Sequence, residues 1–97
     1  MLQTPPTEAD RVLALHPFKD QPVRLRGDRY AVAREAILDA LRQRGPLTLD
    51  ALVEATAERI DPGVCTAQWY VRTVKLDLEA RGVLARVNSR PHRVRLA

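Results

Sequence analysis

Cysteine occurs once in these 97 residues, at Cys65, so no disulfide can close within the chain, which fits a reducing, cytoplasmic setting. The two histidines, His16 and His92, show no metal-ligand spacing with it, and no cofactor is expected. No apolar run approaches the roughly 20 residues of a membrane span. The opening MLQTPPTEAD lacks the basic-then-apolar order of a signal peptide. The four glycines stand at helix ends and turns rather than in a phosphate-cradling loop. Asp50, Glu54 and Glu58 repeat at i+4 and predict a solvated acidic helix face rather than a catalytic pair. These absences argue against an enzyme, and against a membrane or small-molecule partner. Lysine is scarce as well: of the 16 basic residues 14 are arginine, whose planar fork suits phosphates and guanine edges. Such arginine and alanine richness is common in bacteria with GC-rich genomes.

What is present is charge at one end. Residues 81–97, RGVLARVNSRPHRVRLA, hold Arg81, Arg86, Arg90, Arg93 and Arg95 and no acid, whereas residues 31–80 are net acidic. The length fits one domain with a modest core. Thr7, followed by Glu8 and Asp10, fits the cap of a short helical turn leading into RVLAL (11–15), or those five residues form a strand, and His16-Pro17 ends either one. PVRL at 22–25 fits a short edge strand. Asp28 is the expected N-cap of a first helix to Arg44, with Tyr30, Ala33, Ile37, Leu38 and Leu41 as its apolar stripe and Gly45-Pro46 as its stop. Thr48 should cap a second helix that fades near Glu58 before the Asp61-Pro62-Gly63 turn. A third helix is expected over 64–81, ending at Gly82. VLARV and HRVRLA then alternate as paired strands around Asn88-Ser89-Arg90-Pro91.

Helix, helix, helix, strand, turn, strand is the order in which the chain resembles the winged helix-turn-helix superfamily. The residues that carry the likeness are AILDALRQRGPLTLDAL (36–52) and VRTVKLDLEARGVLARV (71–87), with Leu78, Gly82, Val83 and Leu84 at the close of the third helix and the opening of the wing. Tyr30, Trp69 and LDLEARG (76–82) are also similar to a group of small stand-alone bacterial winged-helix proteins. The resemblance implies an α+β fold with a three-helix core, a C-terminal β-hairpin wing and a short N-terminal strand. It divides the chain into an N-terminal extension, 1–27, and a winged-helix domain, 28–97. It also implies double-stranded DNA as partner, with the third helix in a major groove and the wing on the backbone. The chain departs from the superfamily spacing at Lys75, where an apolar residue is usual.

At 100° per residue the third helix carries two apolar stripes. Ala67, Val71, Val74 and Leu78 form the core stripe. Trp69, Thr73, Leu76 and Ala80 form a second one, about 200° away. Between them a narrow polar ridge of Gln68, Arg72, Lys75 and Glu79 is left. Gln68, Arg72 and Lys75 are therefore the candidates for base edges or phosphates, and a solvated helix face is the plain alternative. Trp69 is first a core residue, with a subunit interface or stacking on a base as alternatives, and Trp69 and Leu76 are the candidate residues of a homodimer contact.

In the hairpin, Arg86, Arg90, Arg93 and Arg95 are candidate backbone contacts. Arg86, Arg93 and Arg95 alternate with Ala85, Val87, Val94 and Leu96, so one basic strand face is expected, with protection of a sheet edge as its plain alternative. Two functions compete: a DNA-binding regulator or accessory factor, and a protein-interaction module on the same scaffold. The first requires the C-terminal ribbon and the Gln68/Arg72/Lys75 edge to share one accessible side.

Overall fold

The stripe of the first helix determines where the core lies. A computed structural model of the chain describes residues 11–16, 19–60 and 67–97. Within them, two strands, β1 (Arg11–His16) and β2 (Lys19–Arg26), precede α1 (Gly27–Arg44). A two-residue strand β3 (Leu47–Thr48) leads into α2 (Leu49–Ala57). Helix α3 (Ala67–Ala80) is followed by β4 (Leu84–Val87) and β5 (Arg93–Leu96). The architecture is α+β, with three helices and two antiparallel sheets among the described residues.

Helix α1 buries Ala33, Ala36, Ile37, Leu38, Ala40 and Leu41. Three alanines in that stripe keep its surface low, so the other helices can approach closely. The helix begins one residue before the expected cap, and the cap position, Arg26, makes no side-chain cap bond. Asp28 sits instead in the first turn, where its Oδ1 accepts the Arg29 N–H at 2.9 Å and its Oδ2 the Arg26 guanidinium at 3.0 Å. A carboxylate there still faces the positive end of the helix dipole. Gly45, at φ 75°, ends the helix and returns its N–H to the Leu41 carbonyl at 2.9 Å.

Thr48 caps α2 as expected, its Oγ1 accepting the Ala51 N–H at 3.2 Å. Leu52, Ala55 and Thr56 are buried, and the Thr56 hydroxyl donates to the Leu52 carbonyl at 2.8 Å, which satisfies it without leaving the helix. On α3, Val71, Val74 and Leu78 are fully buried, as the core stripe requires. Gly82 takes the left-handed conformation at φ 78°. Around it the Val83 N–H bonds the Leu78 carbonyl at 2.9 Å and the Gly82 N–H the Glu79 carbonyl at 3.1 Å, the hydrogen-bonded helix end that favours glycine. The Thr7 cap, the Asp61-Pro62-Gly63 turn, Cys65 and the first turn expected of the third helix lie outside the described residues.

The C-terminal hairpin gains a third strand from the α1–α2 connection, giving the order β3-β5-β4. Its register corrects one expectation. Leu84 stands opposite Leu96, Arg86 opposite Val94, Ala85 opposite Arg95 and Val87 opposite Arg93. Directly opposed residues share a face, so Arg86 shares one face with Leu84, Val94 and Leu96, its own side chain still exposed. Arg93 and Arg95 start from the other face, and Arg93, at the end of the ladder, still reaches the pocket that Arg86 lines. The arginines do not form a single basic face, because alternation along each strand leaves the pairing between strands undetermined.

At the other end, β1 and β2 form an antiparallel hairpin, with Val12 opposite Leu25 and Ala14 opposite Val23. Of the two readings of RVLAL the strand is the one found, and the edge strand expected at PVRL is the later part of a longer β2 that pairs with it. Ala14 and Leu25 are buried in the same core as the helices, Leu84 and Val94, so the hairpin packs as part of the fold.

Candidate nucleic-acid interface

The polar ridge of α3 runs toward the C-terminal hairpin, and the two meet in a pocket. Its volume is about 200 Å³, and Leu49, Lys75, Arg86, His92, Arg93 and Val94 line it. Lys75 of α3, Arg86 of β4, His92 of the turn before β5 and Arg93 at its start thus converge beside Leu49, the first residue of α2. Lys75 of the ridge and Arg86 and Arg93 of the ribbon share one accessible depression. Gln68 and Arg72 are exposed and lie on the same ridge, Arg72 about 4.5 Å before Lys75 along the helix axis.

The charges there are not equally available. The Lys75 side chain is only 11% exposed, and its Nζ lies 2.9 Å from Glu79 Oε1. Glu79, 6% exposed, accepts the Arg86 Nε–H on Oε2 at 3.0 Å. Its Oε1, within ion-pair distance of Lys75, has no donor aligned for a hydrogen bond. Glu79 thus sits behind the pocket, clamped between two of its cations.

Arg81 is bound elsewhere: its Nε donates to Asp77 Oδ1 at 2.8 Å and its Nη2 to the Leu13 carbonyl at 2.9 Å. Arg90, Arg93 and Arg95 have no carboxylate partner among the described residues. Arg90 is exposed at the hairpin tip, Arg93 reaches Ser89 Oγ at 3.4 Å, and Arg95 is exposed and donates to the Leu96 carbonyl at 3.0 Å. The five positive charges of residues 81–97 therefore present three arginines unpaired by acid. Asp50, Glu54 and Glu58 are all exposed on or just after α2, and Glu58 is 3.5 Å from Arg44.

A second cluster, which the sequence pattern did not single out, lies on the opposite side of α3. Asp77 is fully buried. It accepts the Leu15 N–H at 2.8 Å, the Arg81 guanidinium and the Tyr30 hydroxyl. Burial, reinforced by the hydrogen bond to Asp77 and its negative charge, pushes the Tyr30 hydroxyl up to about 12. This group ties β1, α1 and the end of α3 together. The legible signal was an aspartate in the seam between two apolar stripes with an arginine at i+4.

Trp69 departs from its expected core position. It is 48% exposed, its ring edge-on to Tyr70 at 5.1 Å between centroids. With Ala14, Leu15, His16, Val23, Thr73 and Leu76 it lines a pocket of about 180 Å³ between the N-terminal hairpin and α3. The first stripe of α3 is sealed by two helices, whereas a two-stranded hairpin is too narrow to cover the second. Leu15 and Val23 are exposed beside it. Among the described residues, no group of three His, Cys, Asp or Glu side chains gathers as a metal site, and no helix is long and apolar enough to cross a membrane.

A family model matches residues 11–94, from the first strand of the N-terminal hairpin to the middle of β5. The chain belongs to DUF6958, a family of unknown function. The DUF6958 match takes in the Asp77 cluster, the basic pocket and the Trp69 surface alike. No curated protein and no solved structure matches the chain.

Proposed function

We propose that the chain is a winged helix-turn-helix module that binds double-stranded DNA, as a bacterial transcriptional regulator or accessory factor. The observation that carries this reading is the pocket where Lys75, Arg86, His92 and Arg93 converge, because it brings the α3 ridge and the ribbon to one side. The order of three helices and a terminal hairpin, with a short strand before α2 completing the sheet, supports the winged-helix assignment. In this pose Gln68 and Arg72 approach base edges in the major groove, while Arg90 and Arg93 hold phosphates. The acidic residues of α2 must turn away from the duplex.

Fluorescence anisotropy of a labelled duplex, titrated with micromolar protein across a salt series, tests the reading. Binding at about 50 mM salt should weaken steeply as salt rises, by about 0.9 in log–log slope for each phosphate neutralised. Replacing Arg90 and Arg93 with glutamate should weaken binding to all sequences alike, and Arg72→Ala should alter sequence preference. Absence of binding at low salt would overturn the proposal.

The exposure of Trp69 beside Leu15 and Val23 favours a second reading, a protein-interaction module whose contact is this apolar surface. A chain that binds no duplex but captures a protein partner, and loses it in Trp69→Ala, would establish that reading instead.

A further inference from the structure

We infer that Glu79 is a built-in competitor for phosphate, a positioning residue that holds Lys75 and Arg86 in the basic pocket while withholding part of their charge from a bound backbone. This inference rests on the nucleic-acid reading above and assigns a role within the same site. The ligand class is the phosphodiester of a nucleic-acid backbone.

The geometry gives the reason. A carboxylate that is 6% exposed is costly to keep charged unless it is fully partnered. Glu79 has the Arg86 Nε–H on one oxygen and, on the other, only the charge of Lys75 at 2.9 Å. Its hydrogen bonding is incomplete while its charge is balanced. Lys75, 11% exposed, is likewise a largely buried cation whose nearest anion is Glu79. The pocket wall holds Lys75, Arg86 and Arg93 against this one carboxylate. A phosphate entering the pocket therefore meets two cations that already share an anion, and it competes with Glu79 for them. Without that anion, an ammonium and a guanidinium would be held together at close quarters, so the same carboxylate that lowers affinity keeps the pocket formed.

Glu79→Gln separates the two roles, because the amide oxygen can still accept the Arg86 Nε–H while the charge is gone. DNA binding by this variant should be tighter than wild type at 50 mM salt. Its log–log salt slope should be steeper by about 0.9, so the gain at 50 mM exceeds that at 200 mM about 3.5-fold. A purely structural role would not steepen the slope. A folded Glu79→Gln protein that binds no more tightly than wild type, with an unchanged slope, overturns the inference and leaves the DNA reading standing. If neither protein binds duplex, the DNA reading itself fails.

Should Glu79→Gln not fold, the charge-neutral pair decides. The double variant Lys75→Met with Glu79→Gln should bind within about twofold of wild type, whereas Lys75→Met alone should lose about 0.9 of slope. A double variant as weak as Lys75→Met, or a Lys75→Met protein that binds like wild type, removes the competition.

Discussion

Asp77, fully buried on α3, accepts the backbone N–H of Leu15 on β1 at 2.8 Å. Two residues earlier along β1, the Leu13 carbonyl accepts from Arg81, one turn after Asp77. Strand β1 therefore runs antiparallel to α3 along a ladder of side chains, and one aspartate fastens the N-terminal hairpin to the helices. Replacing it should release the hairpin first. Asp77→Ala strands the Leu15 N–H and the Tyr30 hydroxyl, each costing about 1–3 kcal/mol if buried without a partner, while the part-exposed Arg81 can turn to water. A loss of about 3 kcal/mol in urea unfolding is expected, with faster amide exchange in residues 11–26. Unchanged exchange there would show that the hairpin is held by its apolar contacts alone.

The Tyr30 hydroxyl gives a pH signature. Its folded pKa, about 12, lies above the ordinary value of 10, so the folded state keeps a proton that the unfolded state gives up first. The stabilisation is complete below pH 10 and is lost as pH rises toward 12. In a Tyr70→Phe background Tyr30 is the single tyrosine, and its absorbance titration near 295 nm should have its midpoint near 12. A midpoint near 10 in the folded protein would mean that the hydroxyl is neither buried nor bonded to Asp77 as described.

Gly82 tests backbone strain in isolation. Its φ is 78° and an added Cβ would meet nothing within 4 Å, so Gly82→Ala should cost only the left-handed penalty, about 1–2 kcal/mol. Urea midpoints of the two proteins measure it. A neutral substitution would mean that the helix end can unwind at no cost.

Trp69 supplies an optical probe of the second surface. At 48% exposure its fluorescence should be quenched strongly by acrylamide, and Trp69→Ala should cost about 1 kcal/mol or less in stability. Duplex DNA should leave the quenching unchanged, since the basic pocket and the Trp69 pocket share no lining residue. Protection of Trp69 by duplex would place nucleic acid on the apolar side instead.

Much of this molecule was legible residue by residue. Local signals placed the helices to within a residue or two where they are described, and the Thr48 cap and the Gly82 terminus follow from side-chain and backbone chemistry within a few positions. The core stripe of Val71, Val74 and Leu78 follows from period alone. Trp69 was misplaced because a large apolar side chain says that it favours burial, not whether the neighbouring element is wide enough to provide it. The Asp77 cluster was missed because its partners lie 47 and 62 positions away in sequence.

The chain by itself determined the elements, the core faces and the net positive charge of its C-terminal end, because propensity, periodicity and composition act over short sequence distances. Only the tertiary structure decided which charges are available. Strand register set Arg86 opposite Val94 and apart from Arg93 and Arg95, packing of the C-terminal hairpin on α3 enclosed Glu79 between Lys75 and Arg86, and the N-terminal hairpin engaged Arg81. Register and packing are set by contacts between distant segments, and a count of arginines carries no record of them.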